Sequence, residues 1–376
     1  MKKITLLCCC LSISISIFAQ LTTQPSGNNQ KSVVTQYIGS LAHVTITYNS
    51  PNVTSPTGQD RTGQIWGQLI PYGLTDQGFG TSKAAPWRAG ANENTTIEFS
   101  HDVMIQGKSL KAGKYGFHII VEENKPWTLI FSNNSTAWGS FFYDPAEDAL
   151  RVEATPEKSE FHQWMTFEFT ERMPESCTVA LMWENIKLPF KIEVPKMNEL
   201  YVQAMRNELQ NSPGFNYQNW VTAVGFCVQN NFNLEEALTW ADYAISGPFV
   251  GQENFNTLQA KASVLQALKR SAEAQEIMDK AIKDPTATAF GIHGYGRRLM
   301  AAGDKKKAVE VFEYNYQRFN GAWPTNVGLA RGYSAIGQYD KALKHAQAGL
   351  AEAPDAVNKN FLTQAIEKLK QKQDIN

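Results

Sequence analysis

The sequence is poor in cysteine, in net charge, in long apolar runs and in catalytic strings. Of its 376 residues only 5 are Cys, and Cys8, Cys9 and Cys10 lie among the first ten positions. Cys177 and Cys227 remain, in different halves of the chain, so no disulfide framework is expected. Cys177 belongs to the alternating run Cys177, Val179, Leu181, Trp183. It reads as a small buried hydrophobe rather than a nucleophile. Lys and Arg number 35 against 36 Asp and Glu, a net charge of -1. A nucleic-acid binder would show a basic surplus, so that class is set aside. Beyond the amino terminus no apolar stretch reaches the ~20 residues of a membrane span, and stable membrane insertion is not expected. G-x-S-x-G, H-E-x-x-H and the P-loop are missing, and C-x-x-C is missing after residue 19. An enzyme of those classes is therefore not indicated. The six His show no ligand spacing, so neither a metal nor a cofactor is expected. His118 reads as solvent-facing or internally satisfied. Glu153, Glu168 and Glu171 offer carboxylates for glycoside hydrolysis, but nothing in the sequence brings two of them together.

What is present begins with an address. Lys2 and Lys3 precede a short, mostly apolar run from Leu6 to Phe18, and Ala19 offers a small residue before a cut. Residues 1–19 read as a secretory signal peptide, with a mature start at Gln20 in the periplasm or outside the cell. Lipidation at Cys8 to Cys10 would strand Leu11 to Phe18 on the mature protein, so it is disfavoured.

From 20 to 198 the dominant spacing is two. Val44, Ile46 and Tyr48 alternate with polar neighbours, as do Thr95, Ile97 and Phe99. The pattern recurs at Tyr115–Val121, Trp127–Phe131, Leu150–Ala154, Met165–Phe169 and Leu188–Val194, with turn signals between the runs. Many short strands with regular turns predict an antiparallel β-sandwich or barrel-like domain. Trp66, Trp87, Trp127, Trp138, Trp164 and Trp183 all fall here, and most are expected in the core.

From 199 to 376 the period becomes helical. Gly225, Ala262, Gly296 and Ala330 are separated by 37, 34 and 34 residues. Ala237, Ala274, Ala308 and Ala342 repeat the same separations. Two small-residue columns in one register mark helix pairs that cross closely. The pattern resembles the tetratricopeptide repeat, with about four units over 218–356, the last carrying Leu329, Ala330, Tyr333, Ala342 and Pro354. Residues 357–371 read as a polar capping helix, and 196–210 as a helix at the other end. The overall expectation is an α+β multidomain chain, a β domain followed by an all-α repeat array. Such arrays present a groove to a protein or peptide partner. One residue beyond the first column stand Phe226, Ser263, Arg297 and Arg331, and His293 lies one turn before Arg297. His293, Arg297 and Arg331 are thus candidates to clamp a carboxylate such as a peptide C-terminus, or else are solvated surface charges.

The β half carries a distinctive set of strings. They are Ile65-Trp66-Gly67-Gln68-Leu69-Ile70-Pro71-Tyr72-Gly73, Trp87-Arg88-Ala89-Gly90-Ala91-Asn92-Glu93, Leu110 to Gly116, Trp127 to Phe131 and Trp138-Gly139-Ser140. In this order they resemble the bacterial secreted family known as domain of unknown function 2911, over roughly residues 30–195. The resemblance implies an extracytoplasmic, β-rich domain, sometimes with C-terminal repeats, and no reaction. The connection Leu74 to Pro86 is longer than the form associated with that family, and either covers a site or is plain surface.

Arg88 supplies a rigid donor fork and Glu93 a matching acceptor, among small residues that allow close approach. One reading pairs Arg88 with Glu93 or with turn backbone, as a structural corner. The other gathers Trp66, Trp87, Arg88, Asn92, Glu93 and Trp138 into a shallow ligand site suited to a glycan or peptide fragment. Function then reads as an exported, non-catalytic binding or scaffold protein of the bacterial envelope. The alternative is a hydrolase or carbohydrate-binding module acting through Arg88, Asn92 and Glu93.

Overall fold

The computed structural model describes residues 24–376. The signal peptide expected at 1–19 lies outside them. The chain divides into two compact units at Met197/Asn198.

Among the described residues the first unit holds ten strands. They are β1 (Gln30–Ile38), β2 (Ala42–Ser50), β3 (Thr96–Phe99), β4 (Val103–Ile105), β5 (Lys108–Leu110), β6 (Gly113–Ile120), β7 (Trp127–Ser132), β8 (Asp148–Ala154), β9 (Glu157–Met173) and β10 (Ser176–Glu193). One sheet runs β1-β2-β3-β6-β7-β8 and the other β5-β4-β10-β9. Neighbouring strands pair antiparallel throughout both sheets. The alternation seen in the sequence sets the faces: Ala42, Val44, Ile46 and Tyr48 of β2 point inward and are buried. The sheets meet through aromatic rings. Phe117 of β6 stacks on Phe190 of β10 at 5.7 Å, and Tyr48 meets Phe167 of β9 edge-on at 4.9 Å. Offset and edge contacts of this kind add about 0.5–1.5 kcal/mol per pair beyond the area they bury.

The second unit is all helical. After α1 (Met197–Leu209) come four helix pairs: α2 (Tyr217–Gln229) with α3 (Leu234–Ser246), α4 (Phe255–Ala267) with α5 (Ser271–Ala281), α6 (Ala289–Ala301) with α7 (Lys305–Arg318), and α8 (Trp323–Ala335) with α9 (Tyr339–Ala351). α10 (Ala356–Lys370) follows them. The first small-residue column falls on α2, α4, α6 and α8, the second on α3, α5, α7 and α9. Seven of these eight residues are buried, and close crossing is explicit at Gly296. Phe312 of α7 is fully buried, and a β-carbon added at Gly296, Gly328 or Gly332 would stand 2.4, 2.6 or 2.9 Å from its ring. Gly225 differs: it is exposed, and nothing lies within 4 Å of a β-carbon built there. At the first repeat the column faces open space, so a small residue there answers no packing demand.

Candidate functional site

The Trp87–Thr96 segment folds back on itself rather than running as a strand. Trp87 exchanges two backbone hydrogen bonds with Ile119 of β6, at 2.9 and 2.8 Å. The Thr95 hydroxyl donates to the Ala89 carbonyl at 2.9 Å, and the Ala91 N–H donates to the Asn49 carbonyl at 3.1 Å. Ala89 and Asn92 both take left-handed backbone, at φ 52° and 55°. Non-glycine residues held there mark a segment over-determined by its surroundings. Gly90 is required by close approach, since a β-carbon would stand 2.7 Å from the Thr95 hydroxyl.

Within this fold-back the Arg88–Glu93 pair does not form. The Arg88 guanidinium donates from Nη1 to the Asn92 carbonyl at 2.7 Å and lies 4.8 Å over the Phe141 ring. Gly139 lets the chain close on it: a β-carbon there would sit 2.3 Å from Arg88 Cζ. Glu93 instead accepts from Asn49 Nδ2 at 2.6 Å, and Asn92 Nδ2 donates to the Ser26 carbonyl at 3.1 Å. Arg88 therefore bonds turn backbone and ties two loops together. Burial lowers its pKa, though the side chain keeps part of its surface in solvent. Beside it His118 is buried, with Nδ1 2.9 Å from the Ser140 hydroxyl. Burial, with Arg88 adding to it, holds this imidazole down at about 4.

The six residues grouped in the sequence do not form one site. Trp66 and Trp87 join Trp127 and Trp183 in an aromatic cluster, with ring centroids 4.9 to 6.2 Å apart. Trp127 and Trp183 are buried, Trp66 and Trp87 half-buried, and Trp138 and Trp164 exposed. The expectation that most of the six are core is met for two of them in full. Trp66 and Trp183 place their indole N–H groups without an oxygen partner among the described residues. Trp66 meets the Trp87 and Trp183 rings near 80°, an arrangement suited to N–H···π contacts. Trp87, Arg88 and Trp183 line a cavity of about 320 Å³, whose walls also include Arg61 and Leu69. Thr75, Gln77, Ala85 and Pro86 of the long connection also line it.

Glu93 and Trp138 lie instead on a second cleft, of about 230 Å³, on the outer face of the six-stranded sheet. Register builds this face: Lys31 pairs with Asn49, Thr47 with Thr96, and Thr96 with Gly116. Gly116 has no side chain for a reason, because Asn94 Nδ2 and the Asn134 carbonyl each lie 2.4 Å from where its β-carbon would be. Asn94 is 6% exposed, yet neither its Nδ2 nor its Oδ1 has a partner among the described residues. An unpaired buried amide costs about 1–3 kcal/mol. Nothing in the sequence marks Asn94 or Asn49, although Asn94 directly follows Glu93. Only the strand pairing shows that Lys31, Asn49, Thr96 and Lys114 share a face.

In the helical unit His293 and Arg297 of α6 and Arg331 of α8 do come together. Arg297 perturbs the ionisation of both His293 and Arg331, and Arg331 that of His293. Burial first, then the charges of Arg297 and Arg331, bring the His293 imidazole down to about 4. Burial, then Arg297, bring Arg331 down to about 10. Arg331 lies 4.2 Å over the Phe361 ring of α10, and its Nε has no partner among the described residues. His293 Nδ1 is likewise unpartnered. No carboxylate among the described residues comes within ion-pair distance of Arg297 or Arg331. Two guanidiniums, one exposed and one half-buried, thus lie near an imidazole with no carboxylate at ion-pair distance among the described residues.

Residues 29–192 match the family model described as "Protein of unknown function (DUF2911)". The matched span begins just before β1 and ends in β10. No curated protein matches the chain. Among solved structures, YrrB, described as a TPR protein with an unusual peptide-binding site, is 14% identical with a TM-score of 0.31; the match covers 46% of this chain and 87% of that one. MamA 41-end from Desulfovibrio magneticus RS-1 is 16% identical with a TM-score of 0.29, over 42% of this chain and 90% of its own. No described group of His, Cys, Asp and Glu is arranged to hold a metal ion, and no described helix is long and apolar enough to cross a membrane.

Proposed function

We propose that the protein is an exported, non-catalytic binding protein of the bacterial envelope, and that its helical unit captures an anionic peptide segment. One observation carries this reading: His293, Arg297 and Arg331 converge with no counter-anion, and two of their nitrogens lack any partner. Like charges held close and partly desolvated weaken the free protein. A carboxylate bound between them relieves the repulsion and takes up the idle Nε–H of Arg331, which favours binding. A peptide C-terminus suits the arrangement, because a planar carboxylate matches the guanidinium fork. The export half of the reading rests on residues 1–19 of the sequence.

Calorimetric titration with short peptides tests it. Peptides ending in a free carboxylate bind, and their C-terminally amidated forms bind about tenfold more weakly or worse, a difference of about 1.4 kcal/mol. Equal affinity for both forms removes the carboxylate from the account. A second reading, a carbohydrate-binding module on the β unit, draws on Trp138, which leaves 54% of its surface in solvent beside a polar cleft. The hydrolase alternative finds no comparable support, since Arg88 and Asn92 are engaged with backbone and Glu93 with Asn49.

A further inference from the structure

We propose that a cavity of the helical unit takes an aromatic side chain of the captured peptide, on the amino-terminal side of its bound carboxylate. The proposal rests on the peptide reading and goes further, by naming the pocket and the side-chain chemistry that it selects. The cavity, of about 330 Å³, lies between α4, α5 and α6. That volume is within the roughly 300–1,000 Å³ of pockets that take ligands. Its place in the repeats ties it to the cationic cluster. Ser263 of α4 lines the cavity, and Ser263, Arg297 and Arg331 are equivalent positions one residue beyond the first small-residue column. Equivalent positions of stacked repeats face the same way, so cavity and cluster open on one face of the array, on either side of α6. The axes of packed helices stand about 8–10 Å apart, and an extended chain advances about 3.3 Å per residue. A peptide whose carboxylate sits at the cluster therefore brings the side chain about three positions earlier over the cavity.

The walls select the side chain. Ala262 of α4 and Ala274 of α5 are buried, and they leave space where longer side chains would close the cavity. Met278, Tyr295 and Leu299 add apolar surface, and among the described residues no carboxylate belongs to the lining. A thioether and a phenol ring both pack well against an aromatic ring. Arg298 completes the preference. Its guanidinium lies 5.9 Å from the Tyr295 ring and makes no ion pair or hydrogen bond among the described residues. A second ring entering the cavity gives it another π face. A further depression of about 400 Å³ between α2 and α4, with Gly225 in its wall, continues the same face and takes the residues further upstream.

The test is calorimetric titration of the full chain with the N-acetylated peptide Gly-Ser-Phe-Ser-Gly-Ser and with versions carrying Leu or Ala in place of Phe, each with a free and an amidated C-terminus. The Phe peptide is expected to bind at least about tenfold more tightly than the Ala peptide, with the Leu peptide between them. Ala302→Trp, at an exposed position of the lining, is expected to fold normally and to abolish the Phe preference, while the difference between free and amidated ends persists. Arg298→Gln is expected to weaken the Phe peptide about threefold and to leave the Ala peptide unchanged, which the loss of a general surface charge would not do. Equal affinity for the Phe and Ala peptides overturns the pocket and leaves carboxylate capture standing. A Phe preference that is the same with free and amidated ends, both binding equally, removes the carboxylate and leaves the pocket. Leu equal to Phe overturns the aromatic assignment. A Phe preference undiminished in Ala302→Trp overturns the location, and binding of none of the peptides overturns both readings.

Discussion

Arg331→Met tests whether the cationic cluster exists for the fold or for a ligand. Arg331 ionises at about 10 against an ordinary 12.5, because burial and then Arg297 penalise its charge. A difference of that size corresponds to about 3 kcal/mol at 1.36 kcal/mol per pH unit. The side chain keeps some contact with solvent, and screening trims the penalty to about 1–2 kcal/mol. Against this stands the contact of the guanidinium with Phe361, worth about 0.5–1 kcal/mol at such a site. A methionine thioether recovers part of that contact. The net expectation is a gain of about 1 kcal/mol, or about 2–4 °C in Tm for a unit of this size. The sign follows from linkage. A base whose folded pKa is lowered destabilises the fold wherever it is charged, so the gain is present across neutral pH and fades only above pH 10. Calorimetric unfolding of the full chain measures it. A loss of 1 kcal/mol or more would mean that Arg331 has a stabilising partner and would refute the reasoning.

Other outcomes follow from the same geometry. His118 ionises at about 4 in the folded β unit against 6.5 ordinarily, so its contribution is complete above pH 6.5 and falls away toward pH 4. The loss is on the order of 3 kcal/mol, and His118→Gln should flatten the stability profile between those values in urea titrations. His293 is neutral at pH 7, and a bound anion raises its pKa, so peptide affinity should climb as pH drops from 7 to 5. An affinity independent of pH there would show that the anion does not reach it. Phe312→Ala empties the nest formed by Gly296, Gly328 and Gly332 and should cost about 3–5 kcal/mol by chemical denaturation. The Cys177 thiol, pushed up to about 11 by burial, should react with a thiol reagent only as fast as the β unit unfolds.

The architecture was legible because periodicity reports burial directly. The alternation of Val44, Ile46 and Tyr48 and the paired columns through Ala308 and Ala342 are consequences of which side chains face a core. The sites were legible only in part. His293, Arg297 and Arg331 could be grouped because a helical repeat turns sequence spacing into spatial adjacency. The Trp87–Thr96 segment offered no such rule. Its φ-positive residues at Ala89 and Asn92 turn the chain within a few positions, sending Arg88 toward Phe141 and Glu93 toward Asn49. Trp66 and Trp138 sit in strings of similar composition, yet one joins an aromatic cluster and the other a polar sheet face. Nothing in the sequence marks Asn94, because an unpaired amide is a property of its surroundings, which no single strand encodes.

The most direct test of the peptide-capture account is a double-mutant cycle between Arg331→Met and C-terminal amidation of a bound peptide, with affinities from calorimetry. A charge contact between Arg331 and the carboxylate predicts a coupling of about 1.5 kcal/mol or more. Effects that add to within about 0.5 kcal/mol would place the carboxylate elsewhere and contradict the account.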